Sequence, residues 1–194
     1  NLMSYIQMKM RQRALRNLSW HLIYGDGSET DQISGFTTQT GAQTLSWSDI
    51  GDKSSNRVDA ILYGLDKVLS PGVASLAMRK NTFRKITNEK DGDSRYLHSR
   101  DGVYEFRDEG PGKRNIGPYP VIIDQTIAED YVLGIDIANA SKLFYHPMGG
   151  AFMTGWKNDD FEKNIIRVRY EDYLAHGIVS TQGYIMVYLD AKPT

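Results

Sequence analysis

Apolar residues at the start of the chain recur every three or four positions. This spacing places them on one stripe of a helix between residues 3 and 24, formed by Met3, Ile6, Met10, Ala14, Leu18 and Leu22, with Leu15 and Ile23 widening it. No Pro or Gly interrupts the run, and Gly25 stands where a left-handed residue would end a helix. The pattern predicts a rod of about 33 Å, at roughly 1.5 Å per residue, along which other elements or other copies pack.

The rest of the chain combines short helical patterns with many extended ones. A polar loop anchored by Ile33 or Phe36 is expected to follow the first helix. A second helix is predicted from Ser54 or Ser55, as its cap, to residue 69, and a third is predicted to begin at Asn81 or Thr82. Residues 45–50 are predicted to form a short extended or turn segment. Strand patterns occupy residues 74–78, 103–107, 120–124, 131–135, 142–145, 151–156, 164–173, with a continuation at 177–179, and 183–189.

Composition limits the classes of function. The chain has 194 residues and a formal net charge of −1, so charge gives no reason to expect nucleic acid or an acidic membrane as the main partner. It contains no cysteine, which excludes disulfides, thiolate nucleophiles and cysteine-bound metals. No apolar run approaches the roughly 20 residues that a membrane-spanning helix needs.

The residues that could carry chemistry form no recognisable site. The chain has no serine in a nucleophile-elbow pattern, and Asp91-Gly92-Asp93 lacks the further ligands of a calcium loop. None of the four histidines is spaced for zinc with another; they are His21, His98, His146 and His176. The sequence therefore predicts no catalytic, cofactor-binding or metal-binding residues and does not predict an enzyme.

The order of several short segments resembles a known family. The long helix ends in Leu22-Ile23-Tyr24-Gly25-Asp26-Gly27, and a loop leads to Ile33-Ser34-Gly35-Phe36. The later segments are a helix over residues 59–69, then Ala77-Met78-Arg79-Lys80-Asn81-Thr82, Pro120-Val121-Ile122-Ile123-Asp124, Tyr131-Val132-Leu133-Gly134, and Arg167-Val168-Arg169-Tyr170 leading to Leu189. Over residues 3–189 the chain resembles the major capsid proteins of tailed bacteriophages, whose Hong Kong 97-type fold is shared by encapsulin shells.

The resemblance implies an α+β fold in two parts. A peripheral domain would combine residues 1–36, the spine helix, with an antiparallel sheet from residues 161–194. An α/β axial domain would span residues 37–160, with loops that meet at the centre of a pentamer or hexamer. Family members carry an N-terminal arm and an extended loop before the spine helix, whereas this chain begins at Asn1, so N-terminal truncation is expected.

The implied function is structural. The subunit would assemble into pentamers and hexamers of an icosahedral virion shell that encloses DNA, formed in the cytoplasm of a bacterial host. Other partners would be a scaffold protein and packaged DNA bound non-specifically, with no membrane partner and no cofactor. Arg11, Arg13 and Arg16 are candidates for the DNA-facing surface. Two alternatives stay open: an encapsulin-like nanocompartment shell, and a small cytoplasmic enzyme or binding domain with no motif visible in the sequence.

Overall fold

Three α-helices and eleven strands make up the described parts of the chain. The computed structural model describes residues 2–28, 33–50, 56–68, 75–90, 106–108, 114–147, 149–160 and 162–189. The helices are α1 (Leu2–Tyr24), α2 (Arg57–Leu65) and α3 (Lys80–Thr87). The strands are β1 (Gln43–Ser46), β2 (Ser75–Met78), β3 (Phe106–Asp108), β4 (Arg114–Ile116), β5 (Tyr119–Ile123), β6 (Tyr131–Ile135), β7 (Ser141–Tyr145), β8 (Ala151–Gly155), β9 (Arg167–Glu171), β10 (Leu174–Ile178) and β11 (Tyr184–Tyr188). This mixture confirms the α+β class.

The main sheet has seven strands in the order β1-β11-β6-β2-β5-β4-β3. β11 runs parallel to β1 and antiparallel to β6, and all five of its residues are buried. The strand belongs to the segment expected for the peripheral domain, and it lies within the seven-stranded sheet, paired on both sides. The unbroken apolar run of β11 explains this position, because a strand of that kind must be covered on both faces.

Helices α2 and α3 contribute to the core on one face of this sheet. Val58, Ile61 and Leu65 of α2 are buried in the same cluster as Phe83 and Ile86 of α3. These buried residues are spaced three or four positions apart, so each helix turns one apolar face towards the core. Burying side chains of this size stabilises a fold by about 1.5–3 kcal/mol each relative to full exposure.

The predicted helix starts are shifted in the structure. The Asn56 side chain caps α2 by accepting from the Asp59 N–H at 3.0 Å, and the Asp59 carboxylate accepts from the Asn56 N–H at 3.3 Å. Ser54 and Ser55 lie outside the described residues. The cap predicted for α3 at Asn81 or Thr82 is wrong, because the helix starts at Lys80 after an extended Arg79. The Thr82 hydroxyl instead accepts from the Asp130 N–H at 3.0 Å.

Helix α1 confirms the predicted spine, although its stripe is only partly covered. The stripe positions from Met3 to Leu22 are half-buried, and Ile23 is buried. Leu15 was expected to widen the stripe, but 51% of it is exposed, because it lies at the margin of the contact. The helix contacts β9, and the Tyr24 hydroxyl accepts from the Ala128 N–H at 2.8 Å.

At the end of α1, the loop segment at residues 35–37 crosses the last turn of the helix. Gly35 N–H donates to the Gly25 carbonyl at 2.7 Å, Phe36 N–H to Leu22 at 2.9 Å, and Thr37 N–H to Ile23 at 3.0 Å. Gly25 was expected to be left-handed, but it is not among the residues with positive φ. It is required instead by close approach, since a Cβ there would lie 2.0 Å from the Ile33 carbonyl oxygen. Phe36, only 6% exposed, is confirmed as the loop anchor.

A long two-stranded hairpin extends from the main sheet and is called the arm below. Its base is the β7–β10 pair and its outer part is the β8–β9 pair, both antiparallel. Tyr145 pairs with Leu174 and Ala151 pairs with Glu171, so the register shifts between the two pairs of strands. At the base, the Asp136 carboxylate accepts from the Ala138 N–H at 3.0 Å and from the Asn139 side chain at 2.8 Å. These bonds fix the turn that leads from β6 into the arm.

Candidate assembly surface

The base of the arm leaves large aromatic side chains uncovered. Phe144 is 59% exposed and Tyr145 is 58% exposed on β7, and Tyr173 lies beside them just before β10. The His146 N–H donates to the Tyr173 carbonyl at 2.9 Å, and the two rings meet edge to face. An open apolar groove runs along this surface. Exposed aromatic groups held on a fixed backbone are typical of protein–protein contact surfaces.

The tip of the arm is held by a buried carboxylate. Asp160 is almost completely covered, and its Oδ1 accepts from Arg167 Nη2 at 2.8 Å while its Oδ2 accepts from Arg167 Nε and from the Lys157 N–H. The guanidinium beside it holds the pKa of Asp160 below its ordinary value. This bidentate pair fixes the tip while Trp156 and Ile166 remain mostly exposed.

Three of the four lysine and arginine side chains of α1 lie on its uncovered side. Lys9, Arg11, Arg13 and Arg16 are all exposed, and Arg11 lies on the side of the helix near Tyr170 of β9. Helix α1 contains no Asp or Glu. The structure therefore keeps the three predicted arginines at the surface, but it separates Arg11 from the other two.

The histidines do not form a catalytic or metal site within the described residues. His176 Nδ1 lies 3.1 Å from the Ser34 carbonyl oxygen, and its ring packs against Phe36. Burial lowers the pKa of His176. His146 lines the open aromatic groove, where no described lining residue is a carboxylate. His98 and the Asp91-Gly92-Asp93 segment lie outside the described residues, and the described part of the chain holds no cluster of metal ligands.

The aromatic surface of the arm was not predicted from the sequence. Phe144 and Tyr145 were read as members of a strand, and strand aromatics are usually assigned to a core. The signal that could have identified them is the short break at residues 146–150, where Pro147 and Gly149 separate the strand pattern of residues 142–145 from that of residues 151–156. A break of this kind leaves a narrow ribbon that cannot cover both of its own faces.

Among the described helices, none is both long enough and apolar enough to cross a lipid bilayer.

Comparisons with known proteins relate this chain to viral shells. The model of the phage capsid family matches residues 1–187. No curated protein matches the sequence. Among solved structures, the capsid of an empty GTA particle has 17% sequence identity and a TM-score of 0.70, covering 97% of this chain and 66% of that chain. A structure from Gordonia phage Cozz has 15% identity and a TM-score of 0.69, covering 98% and 64%.

The same fold also occurs in an encapsulin complex from Synechococcus elongatus. That structure has 12% sequence identity and a TM-score of 0.62, covering 94% of this chain and 64% of that chain. The chain thus spans slightly less than two thirds of the length of the solved structures it matches.

Proposed function

Because this chain belongs to the phage capsid family and has the Hong Kong 97-type capsid fold, we propose that it acts as a major capsid subunit. Many copies would assemble into pentamers and hexamers of an icosahedral shell that encloses phage DNA. The observation that carries this proposal is the family match over residues 1–187. The capsid family consists of structural proteins, and we assign this chain no enzymatic activity.

The exposed arm supports an assembly role on physical grounds. A two-stranded ribbon has unpaired edges and is marginally stable by itself in water. Here its exposed surface also carries Phe144, Tyr145 and Trp156. Neighbouring copies that cover this surface would bury apolar area at about 25 cal/mol per Å², which favours association. Specific interfaces commonly bury about 800 Å² per partner, an area that an elongated arm and spine can supply.

We propose a division of the subunit into two domains that differs from the division expected from the sequence. The proposed axial domain consists of the seven-stranded sheet with α2 and α3, and it includes β11. The proposed peripheral domain consists of α1 and the arm, residues 141–178. The hydrogen-bonded crossing at the end of α1 and the Asp136 turn at the base of the arm connect these parts, so hydrogen-bonded backbone would position the peripheral domain.

The proposed partners are other copies of the chain and, non-specifically, packaged DNA. A scaffold protein remains a prediction with no supporting contact in the described residues. The proposed location is the virion shell, with assembly in the bacterial host cytoplasm.

A nanocompartment shell is the second candidate function. The likeness to an encapsulin complex supports it at the level of fold. The phage capsid family match favours the viral role, since it covers residues 1–187. Particle contents discriminate the two: nucleic acid inside purified particles supports the viral role, whereas an enclosed protein cargo supports the nanocompartment.

The test is particle formation by the chain and by the product of its complete reading frame. Light scattering gives the mass and negative-stain microscopy gives the shape, over a range of protein and salt concentrations. Rings or closed shells from the reading-frame product are expected. A compact monomer from both proteins at every concentration would overturn the proposal.

A matched pair of variants tests the arm surface. Tyr145→Ser removes a 58% exposed aromatic from the arm, and Tyr63→Ser removes a 50% exposed aromatic from α2. We expect Tyr145→Ser to reduce assembly far more than Tyr63→Ser, with both retaining the unfolding midpoint of the parent. Equal assembly by the two variants would remove the arm surface from the proposal.

A further inference from the structure

One exposed side of α1 carries a continuous row of long side chains. Its members are spaced three or four residues apart, as one face of a helix requires; they are Leu2, Tyr5, Lys9, Arg13, Arg16 and Trp20. All six are exposed. We call the three central cations, Lys9, Arg13 and Arg16, the basic row. This row lies on a different side of the helix from the half-buried apolar stripe.

The charge of the basic row is not neutralised within the described chain. None of the three cations forms an ion pair with a described carboxylate. Lys9 instead lies over the ring of Tyr5, with Nζ 5.5 Å from the ring centroid. The chain has a net charge of −1 although α1 contains only basic charged residues, so positive charge is concentrated on this helix. The row therefore attracts anions.

The spacing of the row suits a linear polyanion. At a rise of about 1.5 Å per residue, Lys9 and Arg13 are about 6 Å apart along the helix, and Arg13 and Arg16 about 4.5 Å. Duplex DNA carries one negative charge for every 1.7 Å or so of its axis, so flexible basic side chains at these intervals can each reach a phosphate. The row consists of lysine and arginine, which commonly contact phosphate oxygens, and it holds no asparagine or glutamine of the kind that reads adenine.

We propose that the basic row binds the phosphate backbone of duplex DNA without sequence specificity, placing this side of α1 on the inner face of the shell. The choice of DNA as the polyanion rests on the proposed capsid function. Arg11 is excluded from the row because it lies on the side of the helix towards β9. A patch of three cations gives weak binding per subunit, which repetition over a shell would strengthen.

The test measures binding of a short fluorescent DNA duplex of random sequence by anisotropy at several salt concentrations. The triple variant Lys9→Gln, Arg13→Gln, Arg16→Gln should weaken binding. Each phosphate contact contributes about −0.9 to the slope of log K against log salt, so removal of three contacts should make the slope shallower by about 2.7. Two duplexes of different sequence should bind the parent protein equally.

A matched control removes the same charge elsewhere. Lys67, Lys80 and Arg84 are exposed on or beside α2 and α3, and their triple replacement by Gln should leave the slope unchanged. An equal loss in both triple variants would overturn the proposal, because net charge alone would then explain binding. Absence of DNA binding by the parent protein would overturn it as well.

Scattering mass on the same samples separates this inference from the proposed function. A parent protein that assembles but does not bind DNA overturns only the inference. One that binds DNA through the row but never assembles overturns only the capsid function. If the row variant loses assembly and keeps its DNA affinity, the row contacts an acidic surface of a second copy, and the DNA proposal is wrong.

Discussion

Replacing Gly35 by alanine tests the crossing that ends the spine helix. A Cβ at this position would lie 2.6 Å from the Ile23 carbonyl oxygen and 2.7 Å from the Gly25 nitrogen, both of them backbone atoms. Ordinary contact begins at 3.4 Å, so the two segments must separate by about 0.8 Å. Rotation of a side chain cannot relieve this overlap.

The size of the destabilisation follows from the backbone hydrogen bonds that this separation stretches. Three backbone hydrogen bonds of 2.7, 2.9 and 3.0 Å join the loop at Gly35–Thr37 to the end of α1. Each is worth about 0.5–1.5 kcal/mol net. Partial loss of all three, with some exposure of Phe36, gives an expected destabilisation of about 2–4 kcal/mol. Urea unfolding followed by far-UV circular dichroism measures this as a lower midpoint at constant slope.

Two glycines of the arm provide the control. A Cβ added at Gly155 or Gly177 meets no atom within 4 Å, so alanine there should change the free energy of unfolding by less than about 1 kcal/mol. If Gly35→Ala unfolds at the same urea concentration as the parent protein, the crossing is not a rigid contact and the reasoning fails.

Three further predictions concern the spine, the base of the arm and its tip. Leu18→Asp should lower the free energy of unfolding by about 1–2 kcal/mol and Leu15→Asp by much less, because only Leu18 belongs to the half-buried stripe; equal effects in urea would show that the stripe is misplaced. Since burial lowers the pKa of His176, the imidazole is protonated at a higher pH in the unfolded chain than in the folded one. Stability should therefore fall as pH drops below the ordinary histidine pKa of about 6.5. In a plot of the thermal-unfolding midpoint against pH, His176→Gln should flatten this fall. The pKa of Asp160 is lowered by Arg167, so its stabilising effect is present above the ordinary aspartate pKa of about 3.9 and lost as pH falls through the folded value. Asp160→Asn should accelerate hydrogen exchange of the tip at neutral pH, and the difference should vanish in strong acid.

Elements set by local periodicity were predictable from the sequence. The spine helix and the helix around Ile61 repeat apolar residues every three or four positions, and the strand Tyr131–Ile135 is a short apolar run. The helix caps were less predictable, because several polar residues compete at each start. At α2 the reciprocal bonds of Asn56 and Asp59 select one cap, and three-residue spacing alone would have suggested it.

Features that depend on distant residues could not be predicted. The apolar run of β11 indicates a buried strand, but nothing in it indicates that its neighbours are β1 and β6. The two possible reasons for a glycine, positive φ and close approach, also look identical in sequence, which explains the error at Gly25. The basic row was only partly recognised, because Arg11 lies near its members in sequence but on another side of the helix.

The distribution of burial in the fold is itself an argument for assembly. The seven-stranded sheet carries apolar clusters on both faces, and its strand β11, paired on both sides, is fully covered. The arm, by contrast, places Phe144, Tyr145 and Trp156 on a ribbon only two strands wide. A subunit selected to work alone would gain from polar residues at these positions, since exposed apolar ribbons promote uncontrolled association. Their presence beside a well-packed sheet is consistent with a subunit whose arm is covered by its neighbours.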